Sequence, residues 1–175
     1  LRILAHISEE PHLLNAFTNN VDIHTLTASN VFDVPVEEVT KQMRYRAKAV
    51  NFGIIYGQTR FGLAKALGIS NTDAENFIER YFKTYPNIKR YMKRITEMVE
   101  KEGYAETLFG RRRYLKEELN SRIAKIREFA ERAAINAPLQ GTRADLIKMT
   151  MVDLDEKLKN YKSNIIIQVH DEIVY

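Results

Sequence analysis

Thr40 and Gly57 bracket the stretch KQMRYRAKAVNFGIIY, and no other part of the chain restricts the fold as tightly. Threonine is a good helix N-cap and glycine a good helix stop, so the stretch reads as one helix. Its four-residue spacing puts Arg44, Lys48, Phe52 and Tyr56 on one gently drifting face. A helix whose only task was to bury a stripe would carry aliphatic residues there. Two readings fit this face. The helix is solvated, with its cations snorkelling into water, or the face meets a string of negative charge that ends in a flat ring, as a nucleoside triphosphate does. Gly53 costs the helix about 1 kcal/mol relative to alanine. Either a close approach to the backbone or helix–helix packing would account for it.

The flanking sequence predicts further helices. LRILAHI at the start has helical spacing, and Pro11 suits an early helical position before HLLNAF, with Asn19–Asn20 as a break. Asp22 is an N-cap for the next helix. His24 then lies in its first turn, where a histidine is ordinarily a surface or capping group and where the helix dipole favours anions. Pro35 ends this unit. FGLAKALG reads as a short helix stopped by Gly68, and Asn71 or Thr72 caps a longer one. The stripe Phe77, Ile78, Tyr81, Phe82 and Tyr85 on that helix is core. Pro86 opens another helix, with Ile88, Met92, Ile95 and Val99 on one face and Gly103 at its end. Further on, Ser121 caps a helix through Ala134, and Pro138 breaks or kinks the path into a helix reaching about Leu158. Arg132, Asn136 and Gln140 keep a four-residue spacing across that kink. These are side chains suited to phosphate, minor groove or base edges, although Asn136 also suits a helix end.

Two short segments read as extended. ETLFGRRRYL carries Gly110 between two β-compatible runs, and Arg111, Arg112 and Arg113 alternate sides there, as a phosphate grip or as an exposed basic turn. NIIIQVHDEIVY reads as a hairpin with His170, Asp171 and Glu172 at or near its turn. Neighbouring carboxylates repel unless cations compensate, and hard cations such as Mg²⁺ prefer oxygen ligands. Aspartate is also common at hairpin turns for conformational reasons alone. The expected fold class is therefore α+β, predominantly helical, with a small antiparallel sheet.

Composition narrows the function classes. The net charge of +4 mildly favours an anionic partner. The absence of cysteine excludes disulfides and thiolate metal sites, and is compatible with an intracellular setting. No apolar run has the length of a membrane span. Leu1 stands inside an apolar pattern and Tyr175 inside a strand-like run, so the expectation is a piece of a larger protein.

Taken together, LRILAHIS, RAKAVNFGIIYG, GYAETLFGRRRYL, ERAAINAPLQGTRADLIK and QVHDEIVY, in this order and over the whole chain, resemble the polymerase domain of family A DNA polymerases, the bacterial members most of all. The resemblance implies a palm segment at 1–8, fingers at 9–118 and further palm at 119–175, including the HDE hairpin, as one incomplete polymerase domain. It implies that Arg44, Lys48 and His24 contact the incoming dNTP's phosphates, with Lys48 as proton donor to pyrophosphate. Phe52 would pack on the sugar and Tyr56 would lie at the templating base. Arg132, Asn136, Gln140 and His170 would line the primer–template, with Arg111, Arg112 and Arg113 as DNA contacts. Asp171 would be a catalytic metal ligand, supported by Glu172, in a site that holds two Mg²⁺ ions in the complete enzyme. The implied partners are primer–template DNA and dNTP, with no membrane, for a monomer of the bacterial cytoplasm and nucleoid; phage and organelle origins stay open. A second metal-binding aspartate, a ribose-excluding glutamate and the thumb are expected upstream of Leu1, so the fragment alone is expected to be inactive. Two departures stand out. LKEEL follows the triple arginine where relatives often have proline and aspartate, and Arg143 replaces a usual small residue. Arg143 reads as an extra backbone contact that does not touch the catalytic set. The close rivals are a single-subunit RNA polymerase, which Phe52 and NFGIIYG disfavour, and a non-catalytic nucleic-acid-binding remnant, which the HDE hairpin disfavours.

Overall fold

Helix punctuation accounts for most of the architecture. In the computed structural model, which describes residues 1–175, the first part of the chain is entirely helical. It comprises α1 (Arg2–Ser8), α2 (Pro11–Thr18), α3 (Ile23–Phe32), a 3₁₀ turn (Val36–Glu38), α4 (Lys41–Ile55), α5 (Arg60–Leu67), α6 (Asn71–Thr84) and α7 (Pro86–Glu102). The caps are chemical. Asp22 accepts the backbone N–H groups of His24 and Thr25 at 2.9 Å each, and Thr40 Oγ1 accepts that of Met43 at 3.2 Å. Gly57 takes φ +69° just past α4 and donates its N–H to the Ile54 carbonyl. A side chain there would also strike Arg132 Cγ at 2.6 Å, so both backbone and space require glycine. The cap of α6 is Ser70, not Asn71 or Thr72. Its hydroxyl accepts the Asp73 N–H at 3.0 Å and donates to Asp73 Oδ2 at 2.7 Å.

The core forms where these helices meet α9 (Ala124–Leu158). From α7 it takes Ile88, Tyr91, Ile95 and Val99, and from the α6–α7 junction Tyr81 and Tyr85, whose rings meet edge to face at 4.9 Å. Phe77, Ile78 and Phe82 pack against its margin, as the aromatic stripe predicts.

Two expectations about α9 need correction. Ser121 does not cap it. The N-cap is Ile123, and the Ser121 hydroxyl only accepts the Ile123 N–H at 3.2 Å ahead of the helix. Nor does Pro138 divide it, since the helix runs unbroken through the proline. Proline inside a helix forfeits one backbone hydrogen bond and crowds the preceding turn, at about 3 kcal/mol or more. Here tertiary structure offsets that cost. Ala130, Ala133, Ala134, Ile135 and Pro138 are all buried, and the Tyr91 hydroxyl donates to the Ile135 carbonyl at 3.1 Å beside the kink-prone turn. Arg132, Asn136 and Gln140 therefore share one continuous helical face.

The extended segments form two separate two-stranded antiparallel sheets. In the first, β1 (Tyr104–Glu106) pairs with β2 (Arg112–Tyr114), Glu106 opposite Arg112. A short α8 (Lys116–Leu119) follows. In the second, β3 (Ile167–Val169) pairs with β4 (Glu172–Val174) around a two-residue turn of His170 and Asp171, with His170 at φ +54°. The first hairpin is pinned to α9. Asp145, nearly buried, accepts from Thr107 Oγ1 at 2.8 Å and Arg111 Nε at 2.8 Å, while Thr142 Oγ1 accepts the Leu108 N–H at 3.1 Å. The Arg111 and Thr107 hydrogen bonds hold the Asp145 carboxyl below the usual carboxylate range.

Two carboxylates join the helices into one body. Glu10 is fully buried, yet it accepts the His12 N–H at 3.4 Å and the Asn87 N–H at 2.9 Å, so one side chain serves the N-termini of both α2 and α7. Asp22, while capping α3, also takes Arg44 of α4 at 3.1 Å from Nε and 2.6 Å from Nη2. Partial burial pushes the Asp22 carboxyl up, but the Arg44 hydrogen bond and charge and the two capping N–H groups bring it down to about 2.

Replacing Glu10 by alanine removes both helix-end acceptors and opens a gap in the core. We expect a stability loss of about 2 kcal/mol, read as a lower urea midpoint at unchanged slope. The Asp22→Asn variant keeps a capping acceptor and loses only the charge. Between about pH 2 and the unfolded carboxyl value near 4 the folded state binds fewer protons. The charge contribution is thus complete above about pH 4 and disappears as the pH falls toward 2. The side chains of Asp22 and Arg44 are 44% and 45% exposed, so solvent screening keeps the difference below about 1 kcal/mol. Urea midpoints of the two proteins should differ slightly near neutrality and converge near pH 2.

Candidate active site

The face of α4 turned away from the core is the one the sequence singled out. Arg44, Lys48 and Tyr56 are exposed, Phe52 is half-buried, and Ala47, Val50, Asn51, Gly53, Ile54 and Ile55 are buried on the other side. The rings continue one another. His24 and Phe52 have centroids 5.8 Å apart, and Phe52 and Tyr56 lie nearly parallel at 6.4 Å. An open aromatic surface thus adjoins two cations, an arrangement suited to a ligand with a flat part and an anionic part. What approaches Gly53 is the protein itself. An added Cβ would run into Gln58 Oε1 and meet Leu63 Cδ1 at 3.5 Å, so α4–α5 packing accounts for this glycine.

Beside Phe52 and Tyr56 a cleft of about 460 Å³ opens between α1, α4, α9 and the second hairpin. Arg2, Asn136, Gln140, Arg143 and Asp171 supply polar groups, and Leu1, Leu4, Ile55 and Leu139 part of its apolar wall. A neighbouring hollow brings Arg132 to Phe52, Tyr56 and Gly57. Asn136 donates from its side chain to the Arg132 carbonyl at 2.9 Å, while its Oδ1 is buried without a partner. Such an orphaned acceptor costs about 1–3 kcal/mol unless a donor arrives. Gln140 also borders a smaller hollow of about 300 Å³ lined by Arg111, Arg112 and Arg113.

Not every expected residue is brought to the cleft. His24 lines a different hollow with Phe17 and Asp22, which shares Leu1 and Arg2 with the first, and its ring faces Phe52. His170 and Glu172 are exposed outside it. The arginine run is exposed but engaged. Arg111 holds Asp145 at 2.6 Å, Arg112 holds Glu106 at 2.5 Å and lies over the Tyr104 ring at 4.3 Å, and Arg113 lies 6.0 Å from the Phe129 ring centre.

Arg143 requires a correction. It does touch the expected metal ligand, with Nη2 3.2 Å from Asp171 Oδ1. Asp171 and the adjacent Glu172 are both exposed, and Arg143, projecting from α9 on the same side of the cleft, sets its charge against Asp171. The carboxylate of Asp171 is a suitable hard ligand for Mg²⁺. No group of three acidic or histidine side chains forms in the chain, so the donors fit one ligand position and not a complete two-ion centre.

Sequence reasoning missed three participants: Asn51, the Thr107–Asp145–Arg111 anchor and the Arg143–Asp171 pair. An asparagine on an otherwise apolar helix face was a usable signal for the first. The other two depend on distant segments meeting and leave no local pattern.

Comparison with known proteins identifies the family. The family model described as DNA polymerase family A matches residues 1–175. A protein named DNA polymerase I from Bacillus caldotenax is 49% identical over 176 residues, covering 99% of this chain and 20% of the relative, and that of Bacillus subtilis is 49% identical over 177 residues, covering 100% and 20%. The chain thus spans about a fifth of the length of these curated relatives. A solved structure described as the POL domain of Pol1 from M. smegmatis, in complex with DNA primer-template and dNTP, superposes with a TM-score of 0.93 at 43% identity, over 98% of this chain and 30% of that one. No helix is long and apolar enough to cross a membrane. Sequence and fold agree, and the chain belongs to DNA polymerase family A.

Proposed function

We propose that this chain contributes the fingers and most of the palm to a template-directed DNA polymerase that adds dNTPs to a primer 3′-hydroxyl, in replication or repair. The division is 1–8 palm, 9–118 fingers and 119–175 palm. The observation that carries the reading is the single cleft where the aromatic end of α4 meets Asn136 and Gln140 of α9 and Asp171 of the hairpin. A nucleotide paired to a template needs these three surfaces at once: one for the incoming ring and phosphates, one for the duplex, and one for the reacting centre.

Each side chain then has a task. Arg44 and Lys48 neutralise the triphosphate, with His24 as a third phosphate contact. Phe52 packs on the sugar and Tyr56 on the template side. Arg132, Asn136, Gln140 and His170 hold the primer–template through its groove and end, where the unpartnered Asn136 Oδ1 would gain a donor. Arg111, Arg112 and Arg113 steer the DNA backbone electrostatically. The reaction is attack of the primer 3′-oxygen on the α-phosphorus, with the bond to pyrophosphate breaking and the hydroxyl proton passing to solvent water. Lys48 gives its proton to the departing pyrophosphate oxygen. Asp171, with Glu172 beside it, would hold Mg²⁺, which when bound polarises the phosphate oxygens and lowers the pKa of the attacking hydroxyl. Asp171 provides only one ligand position, so residues 1–175 alone should show no sustained primer extension.

The test is a chimera in which residues 1–175 replace the matching segment of the Bacillus subtilis relative. It should extend a primer with dNTPs in the order the template dictates. Loss of templated extension by a folded chimera would count against the reading, and preference for rNTPs would shift it to an RNA polymerase. In the same chimera Lys48→Ala should lower kcat by about 10²–10⁴-fold, because charge compensation and proton donation disappear together. Unchanged turnover would remove Lys48 from the chemistry. Phe52→Tyr should raise the ddNTP-to-dNTP incorporation ratio on the order of 10²-fold, since the added hydroxyl offers the hydrogen-bonding group that a dideoxy sugar lacks. An unaltered ratio would break the sugar contact.

A further inference from the structure

Asn51 is fully buried on α4, behind the face that carries the candidate ligand residues. Its side-chain nitrogen lies 3.0 Å from His24 Nδ1 and 3.1 Å from Thr27 Oγ1. The Thr27 hydroxyl, also fully buried, lies 3.2 Å from Asn51 Oδ1 and 3.0 Å from the Tyr85 hydroxyl. A carboxamide nitrogen can only donate, so the ring nitrogen it faces must be the unprotonated one. A neutral imidazole has one N–H, and that proton is then on Nε2.

We infer that Asn51 is a positioning residue of this site: by donating to Nδ1 it holds His24 as the neutral Nε2–H tautomer, so that the half-buried ring offers a hydrogen-bond donor to a polyphosphate. The identity of the ligand rests on the polymerase reading above; the tautomer does not. The surroundings favour the same protonation state. Burial pushes the His24 pKa down, and Arg44 and Lys48 push it further down against the opposing pull of Asp22. With the amide reversed, Oδ1 would require a proton on Nδ1. The neutral ring would then turn a lone pair toward the anion, and a doubly protonated ring would add a third cation beside Arg44 and Lys48. A donor supplied by a neutral ring avoids both, and it stays in place as long as Asn51 is fixed by Thr27 and Tyr85.

A merely structural Asn51 would tie α3 to α4 without setting the ring's protonation, so the test reads the ring directly. Long-range ¹H–¹⁵N spectra of the ¹⁵N-labelled 175-residue chain near pH 7.5 should give His24 a pyridine-like Nδ1 and a protonated Nε2. A through-hydrogen-bond ¹⁵N–¹⁵N coupling should link Asn51 Nδ2 to His24 Nδ1. A protonated Nδ1, or no such coupling, overturns the inference without any variant being made. Asn51→Asp replaces the donor with an acceptor. It should move the proton to Nδ1 and raise the His24 titration midpoint, and an unchanged tautomer in the folded variant also overturns it. Titration with inorganic triphosphate separates the two claims. A shift of the His24 Nε2–H resonance supports the phosphate contact. A static resonance with the expected tautomer removes that contact from the polymerase reading and leaves the positioning role standing.

Discussion

The exposed face of α4 depends on a buried hydrogen-bond network at its back. Apolar contacts through Ala47, Val50, Ile54 and Ile55 hold the helix in the core, but they are non-directional and would tolerate a small rotation about its axis. Asn51 removes that freedom. Its contacts with Thr27 and His24 on α3, and through Thr27 with Tyr85 at the α6–α7 junction, fix the rotation of α4 against α3 and that junction. Breaking any one of them would strand a buried polar group, at about 1–3 kcal/mol. The outward direction of Arg44, Lys48, Phe52 and Tyr56 follows from this.

The helices were legible because their ends are written locally. Asp22, Thr40, Pro86, Gly57, Gly68 and Gly103 each act within a turn of where they stand, and each marks a real boundary. The misreadings have the opposite character. Whether Pro138 ends a helix depends on whether the lost hydrogen bond is offset by packing, and the buried alanines and Tyr91 that offset it come from the tertiary fold. Asn71 and Thr72 lost the cap to Ser70, one and two positions away, where several small polar residues compete and local pattern does not rank them.

The site was legible in part for the same reason. The four-residue beat of α4 and that of Arg132, Asn136 and Gln140 are properties of single helices, so the sequence carries them. Their meeting with Asp171 across the cleft is a property of topology. Arg143 illustrates the difference. In sequence it is one arginine among many, and only the approach of the hairpin to α9 makes it the partner of Asp171.

Charge adds a distinction that the sequence hides, because cations of equal charge are not equally free. Arg44 is committed to Asp22, Arg111 to Asp145, Arg112 to Glu106 and Arg143 to Asp171, whereas neither Lys48 nor Arg132 belongs to an ion pair. An anion arriving at Arg44 exchanges one carboxylate partner for another, and the net gain is the difference between the two. At Lys48 the whole interaction is gained. Arg111 is the extreme case. Drawing it off would leave the nearly buried Asp145 carboxylate with only the Thr107 hydroxyl, a larger loss than an exposed phosphate contact returns. Arg111 therefore anchors the first hairpin, and any contact it makes with an anion must use the guanidinium N–H groups that Asp145 leaves free. Of the two cations on the outward face of α4, the same reasoning makes Lys48 the one whose charge is more available to a bound anion, in the middle of the face that Asn51 holds outward.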